Sequence, residues 1–131
     1  MENKYKGSLI DDRLSILHQD GGYISTYVLS GEGYILGGTL KDYDAGKAAE
    51  LLKIVKSIQN ESAPKLDLST IDEVSFVEDD KIRIALRPFN VGRATTQTLI
   101  LVVVMMINQP YRMLTDKAVA SLKRIWEQIY G

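Results

Sequence analysis

Residues 96–110 read TQTLILVVVMMINQP, and from 99 to 107 the chain carries no charge, no glycine and no polar side chain. A membrane-spanning helix needs roughly 20 consecutive apolar residues, more than twice this run. Val102, Val103, Val104 and Ile107 are branched at Cβ, lose rotamer freedom in a helix and fit a pleated sheet better. Thr95, Thr96 and Thr98 before the run, and Asn108, Gln109 and Pro110 after it, read as strand entry and loop. The run is therefore expected to be a strand covered on both faces. The rest of the sequence must supply two covers.

At 131 residues the chain is expected to form a single domain, 1–131. A domain of this size buries about two-thirds of its unfolded surface. With 16 Lys and Arg against 17 Asp and Glu, it lacks the basic excess of a nucleic-acid binder, and no nucleic-acid partner is expected. The absence of cysteine excludes disulfides, thiolate metal sites and cysteine nucleophiles. The opening MENKYKGSLIDD shows neither the apolar core of a signal peptide nor a glycine after the first methionine. A cytoplasmic protein without direct membrane insertion is expected.

SLIDDRLSILHQDGG reads as a first helix, capped by Ser8 with Asp11 three residues on and stopped by Gly21 and Gly22. YISTYVLSGEGYILGGTL reads as two strands around Gly31-Glu32-Gly33, with a bulge or close backbone approach at Gly37 and Gly38. A second helix follows in DYDAGKAAELLKIVKSIQNES, with Asp42 or Asp44 as cap. Its apolar residues (Ala45, Ala48, Ala49, Leu51, Leu52, Ile54, Val55 and Ile58) span an arc of roughly 220°, well beyond the ~100° stripe of an ordinary surface helix. Such a helix needs more than one packing partner. SAPKLDLST is expected to link it to a second hairpin, IDEVSFVEDDKIRIALRPF, turning near Glu78, Asp79 and Asp80. There Ile82, Ile84 and Leu86 alternate with Lys81, Arg83, Ala85 and Arg87, so one face is expected to be buried and the other wet. A loop with Pro88, Gly92 and Arg93 leads into the apolar strand, and a third helix follows with Thr115 as cap and Trp126 as a core anchor. The fold class is thus α+β: a five-stranded antiparallel sheet with helices on both faces, in the order α-β-β-α-β-β-β-α. The last strand sits centrally, with the second helix on one face and the first and third on the other.

Catalytic and cofactor motifs are near misses. GEGYIL has Leu36 where a dinucleotide fingerprint needs its third glycine, and Gly46-Lys47 lacks both the earlier glycine and the hydroxyl residue of a phosphate loop. His18 is the sole histidine, Asp72, Glu73, Glu78, Asp79 and Asp80 lack the alternation of a calcium loop, and no metal or other cofactor is expected. Lys81, Arg83, Arg87 and Arg93 form a basic stripe, read as an anion or acidic-partner site or as an ordinary wet face. No nucleophile pairs with a base, so no enzyme of the ordinary kind is expected.

The order of elements, together with GYISTYVLSGEGYILGGTL, AGKAAELLKIVKSI and KIRIALRPF followed by the apolar strand and final helix, resembles the roadblock / dynein light chain family. The turn Gly31-Glu32-Gly33 departs from the Asp-Gly turn more usual there. The resemblance implies a dimer in which two second helices (45–58) pack side by side and two third strands (71–78) pair across the axis. The interface residues it implies are Val74 and Phe76 with one flank of the helix, either Leu51, Ile54 and Ile58 or Ala45 and Ala49, leaving Leu52, Val55 and Ala48 to face the sheet. It also implies a non-catalytic regulator or scaffold that binds a small Ras-like GTPase through Lys47, Glu50, Lys53 and Ser57. The alternative is a small-ligand sensor of PAS-like or profilin-like architecture, with a pocket lined by Tyr23, Tyr27, Tyr34 and Tyr43.

Overall fold

The apolar run forms β5 (Gln97–Met106), and its alternation sends side chains into two separate cores. Leu99, Leu101, Val103 and Met105 pack with Ile10, Leu14, Leu17, Ala118 and Leu122, while Ile100 and Val102 pack with Leu51, Leu52 and Val55. Each fully buried aliphatic side chain of this kind contributes about 1.5–3 kcal/mol. The computed structural model describes residues 6–39, 45–93 and 95–130. Its other elements are α1 (Lys6–Gly21), β1 (Ser25–Leu29), β2 (Ile35–Thr39), α2 (Ala45–Ser57), α3 (Ala63–Lys65), β3 (Val74–Glu78), β4 (Ile82–Val91) and α4 (Arg112–Tyr130). The five strands make one antiparallel sheet in the order β2-β1-β5-β4-β3. The α+β architecture expected from the sequence is thus the observed one, with α1 and α4 on one face and α2 on the other.

Three expectations are corrected. The face of β4 carrying Arg83, Ala85 and Arg87 is not the wet one: Ala85 and Phe89 belong to the core under α1 and α4, and Arg87 is only 6% exposed. β4 lies beside β5 and shares both its covers. Pro88 lies within β4 rather than in a loop. Thr115 is not a cap, because α4 starts a turn earlier; its hydroxyl donates back to the Tyr111 carbonyl at 2.8 Å and it is fully buried.

Helix boundaries also shift. α1 begins at Lys6, which puts Ser8 inside it, and the proposed caps Asp42 and Asp44 lie outside the described residues. The second helix does not end at Ser62. It passes through a π turn (Ile58–Ser62), closed by the Ala63 N–H on the Ile58 carbonyl, into the short α3. Pro64 falls just after the π turn, at the start of α3. Asp67, at φ 58°, follows that last turn.

The expected irregularity at Gly37 and Gly38 is present. The β1–β2 register shifts between Val28 and Leu29, leaving Leu36 as the extra residue. The ladder then takes Gly37 and Thr39 against β1 and turns Gly38 outward, where Asp11 Oδ1 on α1 accepts its N–H at 2.8 Å. Gly38 has φ 142°, and a Cβ there would stand 2.4 Å from the Thr26 carbonyl oxygen. Gly38→Ala is expected to destabilise the protein by more than about 1 kcal/mol in urea unfolding, through both strain and clash.

Candidate functional site: a helix face beside an open strand edge

The register of the sheet decides which main-chain groups are free. The Ile107 N–H reaches the Lys81 carbonyl at 2.8 Å, which assigns the odd-numbered residues of β4 to β5. The even-numbered Ile82, Ile84 and Leu86 therefore face β3, opposite Glu78, Phe76 and Val74. On β3 itself this leaves Ser75 and Val77 directing their N–H and C=O groups away from the sheet. Among the described residues β3 is thus an edge strand with an open rim.

The second helix runs alongside that rim. Lys47 Nζ lies 3.5 Å from Glu78 Oε2 at one end of β3, and Gln59, Asn60 and Ala63 border residues 69–72 at the other. Leu51, Leu52 and Val55 hold the helix on the sheet, with Val74 and Phe76 half-buried against the same core. Leu51 is 9% exposed, so it serves mainly its own chain, whereas Ile54 is 39% exposed and Ile58 half-buried. The side chains of Ala45, Ala48 and Ala49 lie outside what the structure describes. Next to Ile54 runs the exposed stripe of Lys47, Glu50, Lys53 and Ser57, as the spacing predicts. Lys53 Nζ pairs with Glu50 at 3.1 Å, and the Ser57 hydroxyl lies 3.4 Å from Glu61 Oε2. These are solvated contacts, each contributing little to stability.

The start of β3 is anchored by a charge network that sequence reasoning missed. Arg87 reaches through the sheet edge: Nη1 donates to Thr115 Oγ1 at 2.8 Å and to Asp116, and Nη2 donates to Asp72 at 3.1 Å. Arg112, on α4, donates to Glu73 at 2.7 Å and to Asp72 at 2.6 Å. Glu73 also accepts from the hydroxyls of Tyr111, at 2.6 Å, and Ser75. Arg83 lies over the Tyr111 ring, 5.8 Å from its centroid. Hydrogen bonding to Arg112 holds the Asp72 carboxyl below its usual range. Burial pushes the Glu73 carboxyl up, but the bonds from Ser75, Tyr111 and Arg112 together outweigh it, and its pKa too is lowered. Burial, with the Glu73 bond behind it, raises Tyr111. Phe89 and Val91 share the parity of Arg87, a hint of a buried face, but the sequence pattern does not name the distant partners that make a buried arginine tolerable.

The predicted basic stripe dissolves: Arg87 is buried in the network and Arg93 pairs with Glu127 at 3.5 Å. The acidic group divides likewise. Asp72 and Glu73 bind arginines, while Asp79 and Asp80, at φ 51° and 55°, form the hairpin turn. Among the described residues no three His, Cys, Asp or Glu gather as metal ligands. The tyrosines proposed for a ligand pocket are scattered. Tyr23 and Tyr27 lie in the two different cores, Tyr34 is 70% exposed, and Tyr43 is outside the described residues. Trp126 is half-buried against the α1–α4 core and packs on Tyr130, with ring centroids 4.3 Å apart. No described helix is long and apolar enough to cross a membrane.

No family model matches the sequence, and no curated protein matches it either. Among solved structures, this chain is similar to Myxococcus xanthus MglB at TM-score 0.80 and 14% identity, covering 100% of this chain and 97% of that one. It is also similar to the gliding protein MglB from Thermus thermophilus, at TM-score 0.76 and 14% identity over 98% and 96% of the two chains. A Roadblock/LC7 domain from Streptomyces avermitilis superposes at TM-score 0.61, with 15% identity over 92% and 98%. The chain has the roadblock/LC7 fold.

The network predicts a pH response. Asp72 and Glu73 have folded-state pKa values below their unfolded ones, so their stabilisation is complete above the unfolded values, near 4, and is lost as pH falls below them. Arg112→Gln is expected to lower the urea midpoint at pH 6 and to narrow its deficit against wild type at pH 3.

Proposed function

We propose that this protein is a non-catalytic, homodimeric regulator or scaffold for a small Ras-like GTPase. The observation that carries the reading is the continuity of two unsatisfied features: the open rim of β3 and, beside it, the exposed Ile54 flank of α2. The resemblance noted in the sequence supplies the GTPase class, and the fold it shares with the roadblock/LC7 structures supports it.

The open groups of Ser75 and Val77 set the register of such a dimer. Two β3 strands running antiparallel with Phe76 on the axis would pair Ser75 of each chain with Val77 of its partner, engaging every free group on both rims. Ile54 and Ile58 would then meet their counterparts above Phe76, with Ala45 and Ala49 on the opposite flank of the helix. Glu50, Lys53 and Ser57 are left facing outward from the paired helices for the GTPase, with Lys47 at the border of the Ile54 flank beside Glu78. A partner raises GTP hydrolysis by inserting an arginine or by ordering the GTPase's own residues. Residues 45–57 contain no arginine, which favours the second route.

Wild-type protein is expected to scatter light as a dimer of the 14.7 kDa chain at micromolar concentration. Val77→Pro removes only the outward N–H of an edge residue and is expected to give a folded monomer. A dimer that persists in that variant removes β3 pairing from the proposal. Lys53→Glu is expected to keep the dimer and to weaken binding of the cognate GTPase, loaded with a non-hydrolysable GTP analogue, by at least about tenfold. Undiminished binding in a calorimetric titration places the contact on another surface.

A further inference from the structure

β4 outruns β3 at its far end. β3 pairs only as far as Leu86, whereas β5 follows β4 to Val91. Pro88 and Asn90 share the parity of Ile82, Ile84 and Leu86, so their main-chain groups point where β3 would lie had it continued. The proline fits this placement, because it withholds no donor from the β5 ladder. What remains open is the Pro88 carbonyl together with the N–H and C=O of Asn90, none with a main-chain partner among the described residues outside the strand ladders. The segment entering β3 does not cover them. Its Asp72 and Glu73 are drawn aside to Arg87 and Arg112, and a cleft of about 700 Å³ opens between that segment, β4 and α4.

We propose that this cleft is a docking groove for a short extended peptide of a partner protein, which adds to β4 as a strand in the line of β3. Three features choose this occupant. The open groups repeat at every second residue, the spacing of a strand's own donors and acceptors. Residues 87–91 extend over about 17 Å at ~3.4 Å each, enough for five residues of peptide. The wall formed by the π turn presents the neutral amides of Gln59 and Asn60, suited to a peptide backbone. A free anion is disfavoured, since the charge of the buried Arg87 is already met by Asp72 and Asp116 through its two terminal nitrogens, with Thr115 beside them, and only Nε lacks a partner.

The groove is also directional. Asp116 lies at the Arg87 end, Glu127 lies at the Arg93 end, and Lys123 falls between them on α4. A peptide antiparallel to β4 would enter by Asn90 and leave towards Asp72. It would favour an acidic residue near its N-terminus, against Lys123, followed by an apolar one over Val119 and Ala120. This proposal does not rest on the dimer or on the GTPase.

The test is selection of random heptapeptides displayed on phage against the immobilised full chain, followed by synthesis of the enriched sequence and an N-methyl scan of its backbone. Affinity is expected to fall at least tenfold when alternate amides are methylated, and to hold when the intervening ones are. The Asn90 amide is expected to exchange at least tenfold more slowly in the complex. Asn90→Pro, which deletes an outward N–H together with the exposed side-chain bond from Thr98, and Ala120→Trp, which fills the cleft, are both expected to abolish binding while leaving the thermal transition cooperative. Failure to enrich any heptapeptide overturns the proposal. So does binding that survives both variants, or an N-methyl scan without alternation. A change of molar mass in either variant also overturns it, since the cleft would then belong to a contact between copies of the chain.

Discussion

Burial of β5 on both faces is the constraint from which the rest follows. A strand with apolar side chains in both directions needs a cover on each side, and it needs neighbours to take up its main-chain groups. The chain meets the first need with α2 on one face and the packed pair α1 and α4 on the other. It meets the second with β1 and β4, both antiparallel. Those neighbours inherit the same two covers, so the wet surfaces of the protein are confined to the outer helix faces, the turns and the rims of the sheet. Function, in such an architecture, is pushed to the periphery.

The charge network shows how one rim is shaped. Arg87 sits in a strand whose side should be dry, and a buried guanidinium needs partners for its charge; here both terminal nitrogens are paired and only Nε is left without one. Its partners come from α4 and from the segment entering β3. That arrangement ties helix to sheet edge and at the same time draws the incoming chain off the ladder. The shortness of β3 and the cleft behind it thus share one electrostatic cause. Stability and the shape of the cleft are set by the same side chains.

How much of this the sequence disclosed depended on the length scale of the signal. The apolar run, the wide arc of the second helix and the paired glycines each act within a few residues, and each led to the correct element or irregularity. Arg87 shows where such reading ends. Arginine at alternate positions of a strand looks solvated until its distant partners Asp72, Thr115 and Asp116 are known, and those lie 15 to 29 residues away. Thr115 misled in the same manner: a hydroxyl near a helix start is an ordinary cap, yet here it supports an arginine from another element. The outward helix stripe of Lys47, Glu50, Lys53 and Ser57 was legible because spacing alone sets a helix face. The open groups at Ser75, Val77 and Asn90 were not, because they follow from the register, which no local pattern specifies.

The two rims of the sheet are treated differently, and the difference bears on how many chains can join. On β2, Asp11 takes the outward N–H of Gly38 and α1 lies alongside. On β3, among the described residues, no helix side chain does the same for Ser75 or Val77. A strand ladder with both rims open can lengthen without limit, which is the route to fibres. With one rim stoppered, two chains meeting rim to rim leave only stoppered ends outward. In the dimer proposed above, growth along the sheet would then stop at two, with the first helix and its Asp11 carboxylate standing at each outer rim.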